Sequence, residues 1–162
     1  MWAAVVSVVV LAAAGLVGLV LEQPWLFPSL GPTIMVIAET PRQPAAHPRN
    51  VLAGHVVGVA AGYLALVVTG LTAAPAVAQQ GITVPRIVAA CLSLALTALV
   101  LQATGTQHPP AGATTLIVSL GILKTPSQLL AIVLSVLLVT VAATALNVVA
   151  GVRQQGVRDA HG

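Results

Sequence analysis

Carboxylates are nearly missing from this chain. Of its 162 residues three are Asp or Glu and six are Lys or Arg, so charged side chains amount to 6%, where a water-soluble domain carries about 25%. So little charge leaves too little polar surface to face water, which excludes an ordinary soluble domain. Glu22, Glu39 and Asp159 stand at the ends of apolar runs or in loop and tail, and no long apolar run holds an acid. Cation pumps and proton–cation exchangers place Asp or Glu within the membrane, so this pattern points away from cation transport. Cys91 is the single cysteine; an intrachain disulfide is excluded, and a thiol inside an apolar run reads as a packing residue. Aromatic residues are scarce too, with two Trp, one Tyr and one Phe. Trp2 and Trp25 flank the first apolar run, where interfacial anchors are expected. The basic residues sit at the ends of apolar runs, so the net charge of +3 reflects loop charges, and no nucleic-acid partner is expected. No metal-ligand spacing occurs, and neither a metal nor another cofactor is expected.

What the chain has in abundance is apolar sequence: 58% of its residues are hydrophobic and its mean hydropathy is +1.04. Lipid is the solvent that suits such an excess, and only helices and closed barrels satisfy their backbone there. The runs are too long for barrel strands and do not alternate. Four of them, at about 3–21, 51–72, 86–104 and 128–150, approach or exceed the roughly 20 residues that span a bilayer as a helix. The first lacks the positive leading segment of a signal peptide and reads as a retained anchor. Two shorter apolar pieces, 28–38 and 109–123, each open with proline. The 39–50 loop holds most of the central charge, and 73–85 is an Ala-, Pro- and Gly-rich connection. The expectation is an all-α polytopic membrane bundle of four long helices and two short proline-broken ones, a single domain over 1–152 with a polar tail at 153–162.

The order long, short, long occurs twice, over about 1–72 and 86–150, which suggests an internal repeat. Setting "FPSLGPTIMV" (27–36) against "HPPAGATTLI" (108–117) pairs Pro28 with Pro109, Gly31 with Gly112 and Thr33 with Thr114. Farther on, Pro48 pairs with Pro126 and Asn50 with Gln128, while the polar equipment is divided: His108 faces Phe27, and His55 faces Val133. If the short pieces dip in and out on one side, there are four crossings and parallel halves. If each crosses with help from an extended lead-in, there are six crossings and inverted halves. Six crossings put Arg42, Arg49, Arg153 and Arg158 on one side and Arg86 and Lys124 on the other, which the positive-inside rule favours over an even split. Both termini are then expected in the cytoplasm, and the membrane is expected to be a bacterial plasma membrane.

The proline breaks are the chemically interesting stretches. His108 precedes a proline and is biased to extended geometry, while Pro109 and Pro110 suit a helix's first turn. Ala111, Gly112 and Ala113 then offer nearly bare N–H groups at a helix N-terminus, where the positive end of the helix dipole suits an anion. The first copy repeats the device with Pro28, Ser29 as a potential N-cap, Gly31, Pro32 and Thr33. A single break is commonly just a kink. Two matched breaks, one with a histidine, point to a central transport site. His55 shares a helix face with Gly58 and Gly62 of a close-packing seam begun by Gly54; it is either a functional intramembrane group or a histidine bonded to a nearby carbonyl. Arg49 reads as a positive-inside anchor, Asn50 as a candidate beside it, and His47 and His161 as solvated. Ser93, Thr97, Gln102, Thr104 and Thr106 either line a path or bond their own helix backbone. Asn147 reads as interhelical glue.

At "HPPAGAT" (108–114), with "FPSLGPT" (27–33) and "HPRNVLAGH" (47–55), the sequence resembles the HPP family of integral membrane proteins over nearly its whole length. The resemblance implies four transmembrane helices and a link to nitrite transport, which has been associated with members in chloroplasts and cyanobacteria. It marks His108, Pro109, Pro110, Ala111, Gly112, Pro48, Asn50, Gly54, His55 and the Gly31 region. Where relatives have "FGASA"-like residues this chain has "LGPTI", and Pro32 removes a backbone donor there. The leading reading is a transporter or channel for a small anion, with nitrite implied by the resemblance. Its site would comprise His108, Pro109, Pro110, Ala111, Gly112, Thr114, Ser29, Gly31, Thr33, Asn50 and His55, with the amides of Ala111, Gly112 and Gly31 as donors. The rival is a non-transporting sensor or partner subunit. An enzyme using Ser29 and His108 is not expected, since no buried acid orients the histidine. The glycine seam would also serve a homo-oligomer.

Overall fold

The computed structural model describes residues 1–154; most of the polar tail, with Arg158, Asp159 and His161, lies outside them. Among the described residues the secondary structure is helical throughout: α1 (Trp2–Leu21), α2 (Leu30–Glu39), a 3-10 turn (Pro44–Ala46), α3 (Pro48–Val68), α4 (Val77–Gln80), α5 (Val84–Thr104), α6 (Ala111–Ser119) and α7 (Pro126–Val149). Four of these, α1, α3, α5 and α7, are long and apolar enough to cross a membrane. The expected all-α polytopic bundle is the fold. Two loops hold more structure than expected: the 39–50 loop contains the 3-10 turn and the start of α3, and 73–85 contains α4.

Local chemistry sets the helix ends. Pro48, Pro85 and Pro126 open α3, α5 and α7, where a missing N–H costs nothing. His47 is not simply solvated, because its Nδ1 accepts the Arg49 N–H and caps α3. Thr125 and Gln128 form a capping box on α7. Gly105, with φ 65°, ends α5 in the left-handed conformation that glycine adopts without strain.

The contacts give the course of the chain. After α1, residues 23–26 double back along it: a Cβ on Gly18 would lie 2.9 Å from Trp25 Cβ, and Leu26 packs on Gly15. Trp25 is therefore buried against α1 and is not an interfacial anchor. The end of α2 returns to the start of α1, where Asn147 of α7 accepts from Trp2 Nε1 and donates to the Ile37 carbonyl. We call this the near end. It also holds the 3-10 turn and the start of α3. Along α3, Gly54 packs on His108 and Ala111, Gly58 on Ala111 and Thr115, and Gly62 on Thr115 and Val118, so α6 runs parallel to α3. Arg86, at the start of α5, reaches the end of α6 at the far end. The chain thus traverses the bundle six times, twice through a short helix with its lead-in, and α1 and α5 run in opposite directions. Arg42, Arg49 and Arg153 lie at the near end, Arg86 and Lys124 at the far end.

Two groups of helices result. In one, α1, α2 and α7 pack on one another; in the other, α3, α5 and α6 do so, and α3 meets α7 between them. Exchanging α1, α2 and α3 for α5, α6 and α7 maps these pairings onto themselves. The groups differ in filling. Val6, Val10, Leu30, Ile34, Ile132 and Val139 make an apolar core in the first. In the second, Ser93, Thr97, Thr115 and Ser119 are buried hydroxyls. Large apolar side chains cover the outside of the long helices, as lipid requires. Cys91 belongs to that outer surface, so it is not the packing residue expected: its face of α5 is uncovered among the described residues.

Candidate functional site

The two short helices meet beside α3 at one buried cluster. Thr33, in the first turn of α2, and Thr114, in the first turn of α6, bracket the His55 ring: Thr33 Oγ1 lies 2.9 Å from His55 Nε2, and Thr114 Oγ1 lies 2.7 Å from His55 Nδ1. His108 Nε2 is 3.3 Å from the same Thr33 hydroxyl, and His108 Nδ1 is 2.7 Å from the Ala45 carbonyl. The ring centroids are 5.1 Å apart. All four side chains are at most 1% exposed. The close approach has a cause in the sequence, since Gly54 and Gly58 lack the Cβ that would strike His108, Ala111 or Thr115.

Donor and acceptor order follows from one group that can only accept. The Ala45 carbonyl requires Nδ1–H on His108, which leaves the neutral ring's Nε2 as an acceptor. Thr33 has one hydroxyl proton, shared between the Ser29 carbonyl at 2.8 Å and His108 Nε2. His55 Nε2–H then donates to Thr33, and the Thr114 hydroxyl donates to His55 Nδ1. The Ser29 carbonyl is the nearer acceptor, so His108 Nε2 receives the Thr33 proton only when that hydroxyl turns toward it. In that orientation one directed chain runs from Thr114 through His55, Thr33 and His108 to Ala45.

The Ala45 carbonyl is part of a tied turn, which we call the plug for its position at the near end. The three carbonyls of the 3-10 turn, Pro44, Ala45 and Ala46, accept from Asn50 Nδ2, His108 Nδ1 and Gln154 Nε2, which come from three separate parts of the chain. Gln154 is held in turn by Asn147. Asn147 is the interhelical link expected of it, bridging α7 to α1 and α2.

Other candidate residues fall differently. Ser29 does not cap α2; its hydroxyl is buried without a partner, because its backbone is already in the helical region and its carbonyl, not its Oγ, meets Thr33. The amides of Ala111, Gly112 and Ala113 are not bare: they bond the carbonyls of His108, Pro109 and Pro110, since the Pro-Pro turn winds tightly enough to close i→i+3 bonds. In α2 the amides of Leu30 and Thr33 bond Phe27 and Ser29, which leaves Gly31 as that turn's open donor. Asn50 serves the plug and not the cluster. Pro110 and Ala111 are buried, and Ala111 faces Gly54 beside His108. Pro109 and Gly112 line a cavity of about 280 Å3 that abuts His108 from the α5 side, with Thr97, Gln102 and Gln107. Thr97 and Ser93 point inward and Thr106 is buried, while Gln102 and Thr104 are exposed.

Arg86, expected only as an end charge of the third long run, is a buried anchor in the first turn of α5. It is 2% exposed and donates to the carbonyls of Ser119 and Pro75, placing its charge at the negative end of α6. Lys124 ties the Ala74 carbonyl of the same connection. Thr115, bonded to Thr97 at 2.9 Å, was also missed, although it adjoins Thr114 in the motif.

A helical bundle with an apolar exterior, four spanning helices and a polar cluster sealed inside it defines an integral membrane protein. The family model for the HPP transmembrane region matches residues 1–156, and the chain belongs to that family. No curated protein and no solved structure matches the chain.

Proposed function

We propose that the protein is a carrier for a small anion, nitrite being the substrate that the family resemblance suggests, and that its two halves are inverted repeats around the site. The observation that carries the reading is the meeting of both short helices at His55, in a region free of carboxylates. Four buried polar side chains, Thr33, Thr114, His55 and His108, converge there, and one turn before Thr33 the Ser29 hydroxyl is buried without a partner. A buried polar atom without a partner is rare in a native fold and suits a ligand that completes it. The positive N-terminal ends of α2 and α6 favour negative charge, although side chains supply more of the binding than the amides of α6 do. Inverted repeats are supported by the exchange symmetry of the helix pairings and the opposed directions of α1 and α5. The Pro44–Ala46 plug closes the near end, which fits a carrier that must rearrange to release its load.

The test is uptake of isotopically labelled nitrite by proteoliposomes, with nitrate, formate and chloride as competitors. His108→Ala is expected to lower nitrite uptake at least ~100-fold, the scale on which a positioned polar group acts, while the purified protein remains monodisperse. Wild-type uptake in that variant removes His108 from the mechanism. Ligand-dependent stabilisation without flux of any tested anion would replace the carrier with a sensor.

A further inference from the structure

We infer that each anion is accompanied by a proton, and that the chain Thr114–His55–Thr33–His108–Ala45 is the path this proton takes. The inference rests on the anion-carrier reading and adds its coupling ion.

The first ground is charge. An anion brought into a buried site without a counter-charge costs several kcal/mol. No Lys or Arg side chain among the described residues contacts the cluster. Around it stand Thr33 on α2, His55 and Gly54 on α3, Ala45 in the plug, Leu94 and Thr97 on α5, and Ala111 and Thr114 on α6. The charged or titratable groups of those elements lie elsewhere. Glu39 and Arg49 are exposed at the near end, Tyr63 and Cys91 are exposed, His47 caps α3, and Arg86 is bonded at the far end. The two imidazoles are therefore the groups that can supply a positive charge, and only by taking up a proton.

The second ground is connectivity. With the Thr33 hydroxyl turned from the Ser29 carbonyl to His108 Nε2, the hydrogen bonds run head to tail, so one proton enters and one leaves with no other change in composition. A proton arriving at Thr114 replaces its hydroxyl proton, which passes to His55 Nδ1. His55 gives its Nε2 proton to Thr33, and Thr33 gives its own to His108 Nε2. His108 releases the Nδ1 proton past the Ala45 carbonyl to water at the near-end loop, where Ala45 is partly exposed. Both rings have then exchanged tautomers.

The third ground is the plug. After release, a lone pair on His108 Nδ1 faces the Ala45 oxygen across 2.7 Å, and an attraction has become a repulsion. Of the three side chains that tie the turn's carbonyls, Asn50 and Gln154 then remain. Proton release and loosening of the near-end closure are one event, which is how a carrier avoids leaking either ion.

The experiment uses proteoliposomes loaded with a pH-sensitive dye, labelled nitrite outside, and protein-free liposomes as the control for passive entry of nitrous acid. Expected is nitrite uptake that is driven by an inward proton gradient, acidifies the lumen beyond the control, and does not respond to a potassium–valinomycin potential. Thr33→Val should lower the protein-dependent proton flux roughly 100-fold, and Thr33→Ser, which restores the hydroxyl, should recover it. Uptake driven by the potential and indifferent to the proton gradient overturns the coupling while leaving anion transport intact. Wild-type proton flux in Thr33→Val, at the wild-type proton-to-nitrite ratio, also overturns the path. Protein-dependent proton flux with no anion flux supports the path and sinks the carrier reading instead.

Discussion

The α3–α6 seam can be tested by adding a single methyl group. A Cβ placed on Gly62 would sit 2.7 Å from Val118 Cβ and 2.8 Å from the Thr115 carbonyl oxygen, whereas carbon atoms pack best at about 3.5–4.0 Å. The shortfall from Val118 is about 1 Å, and neither contact is the free end of a flexible side chain, so α6 must shift. Overpacking of this kind costs about 1–3 kcal/mol and occasionally more, against about 1 kcal/mol gained from the better helix propensity of alanine. Gly31 is the matched control, since a Cβ there meets nothing within 4 Å and its φ is not positive. Gly31→Ala should gain about 0.4–1 kcal/mol from reduced freedom of the unfolded chain. The two variants should therefore differ by roughly 0.4–3 kcal/mol, with a central value of about 1.5–2 kcal/mol that corresponds to about 3–8 °C in Tm for a chain of this length. Thermal unfolding in detergent, followed by size-exclusion monodispersity, measures the gap. If Gly62→Ala is as stable as Gly31→Ala, α6 is not packed in this register and the position of Thr114 against His55 falls with it.

Arg86→Met should destabilise the protein by about 2–3 kcal/mol, because it strips charge-assisted bonds from the Ser119 and Pro75 carbonyls. Lys124→Met, which removes one bond from a half-buried position, should cost about 1 kcal/mol or less, and equal losses in a Tm comparison would refute the buried role of Arg86. In a Trp25→Phe background, Asn147→Ala should shift Trp2 emission and raise its quenching by acrylamide, since the indole loses its 2.9 Å partner. An unchanged spectrum would show that the near-end link is not formed.

The spanning helices were legible because lipid imposes a crude rule, that apolar length must match the bilayer. All four appear within a few residues of the runs that announced them. Glycine at every fourth position announced a face of α3, and the proline breaks announced α2 and α6. Less visible was anything depending on which backbone groups the breaks consume. Pro109 and Pro110 promised free amides at the start of α6, yet the turn they create closes those amides on its own carbonyls. Ala45 carries no side-chain signal at all, because its part in the cluster is played by a carbonyl.

Composition and the length of the apolar runs settle that this chain lives in lipid and is helical there, since so few charges suit no other solvent and such long, non-alternating runs do not make barrel strands. Which polar residues share a site is another matter. Thr33, His55 and Thr114 are separated by 22 and 59 residues in the chain, and hydropathy says nothing about their distance in space. Only the packing of α6 against the glycine face of α3, with the first turn of α2 reaching the same ring, brings those hydroxyls to one imidazole, because contact across helices depends on register and on the backbone approach that missing side chains permit.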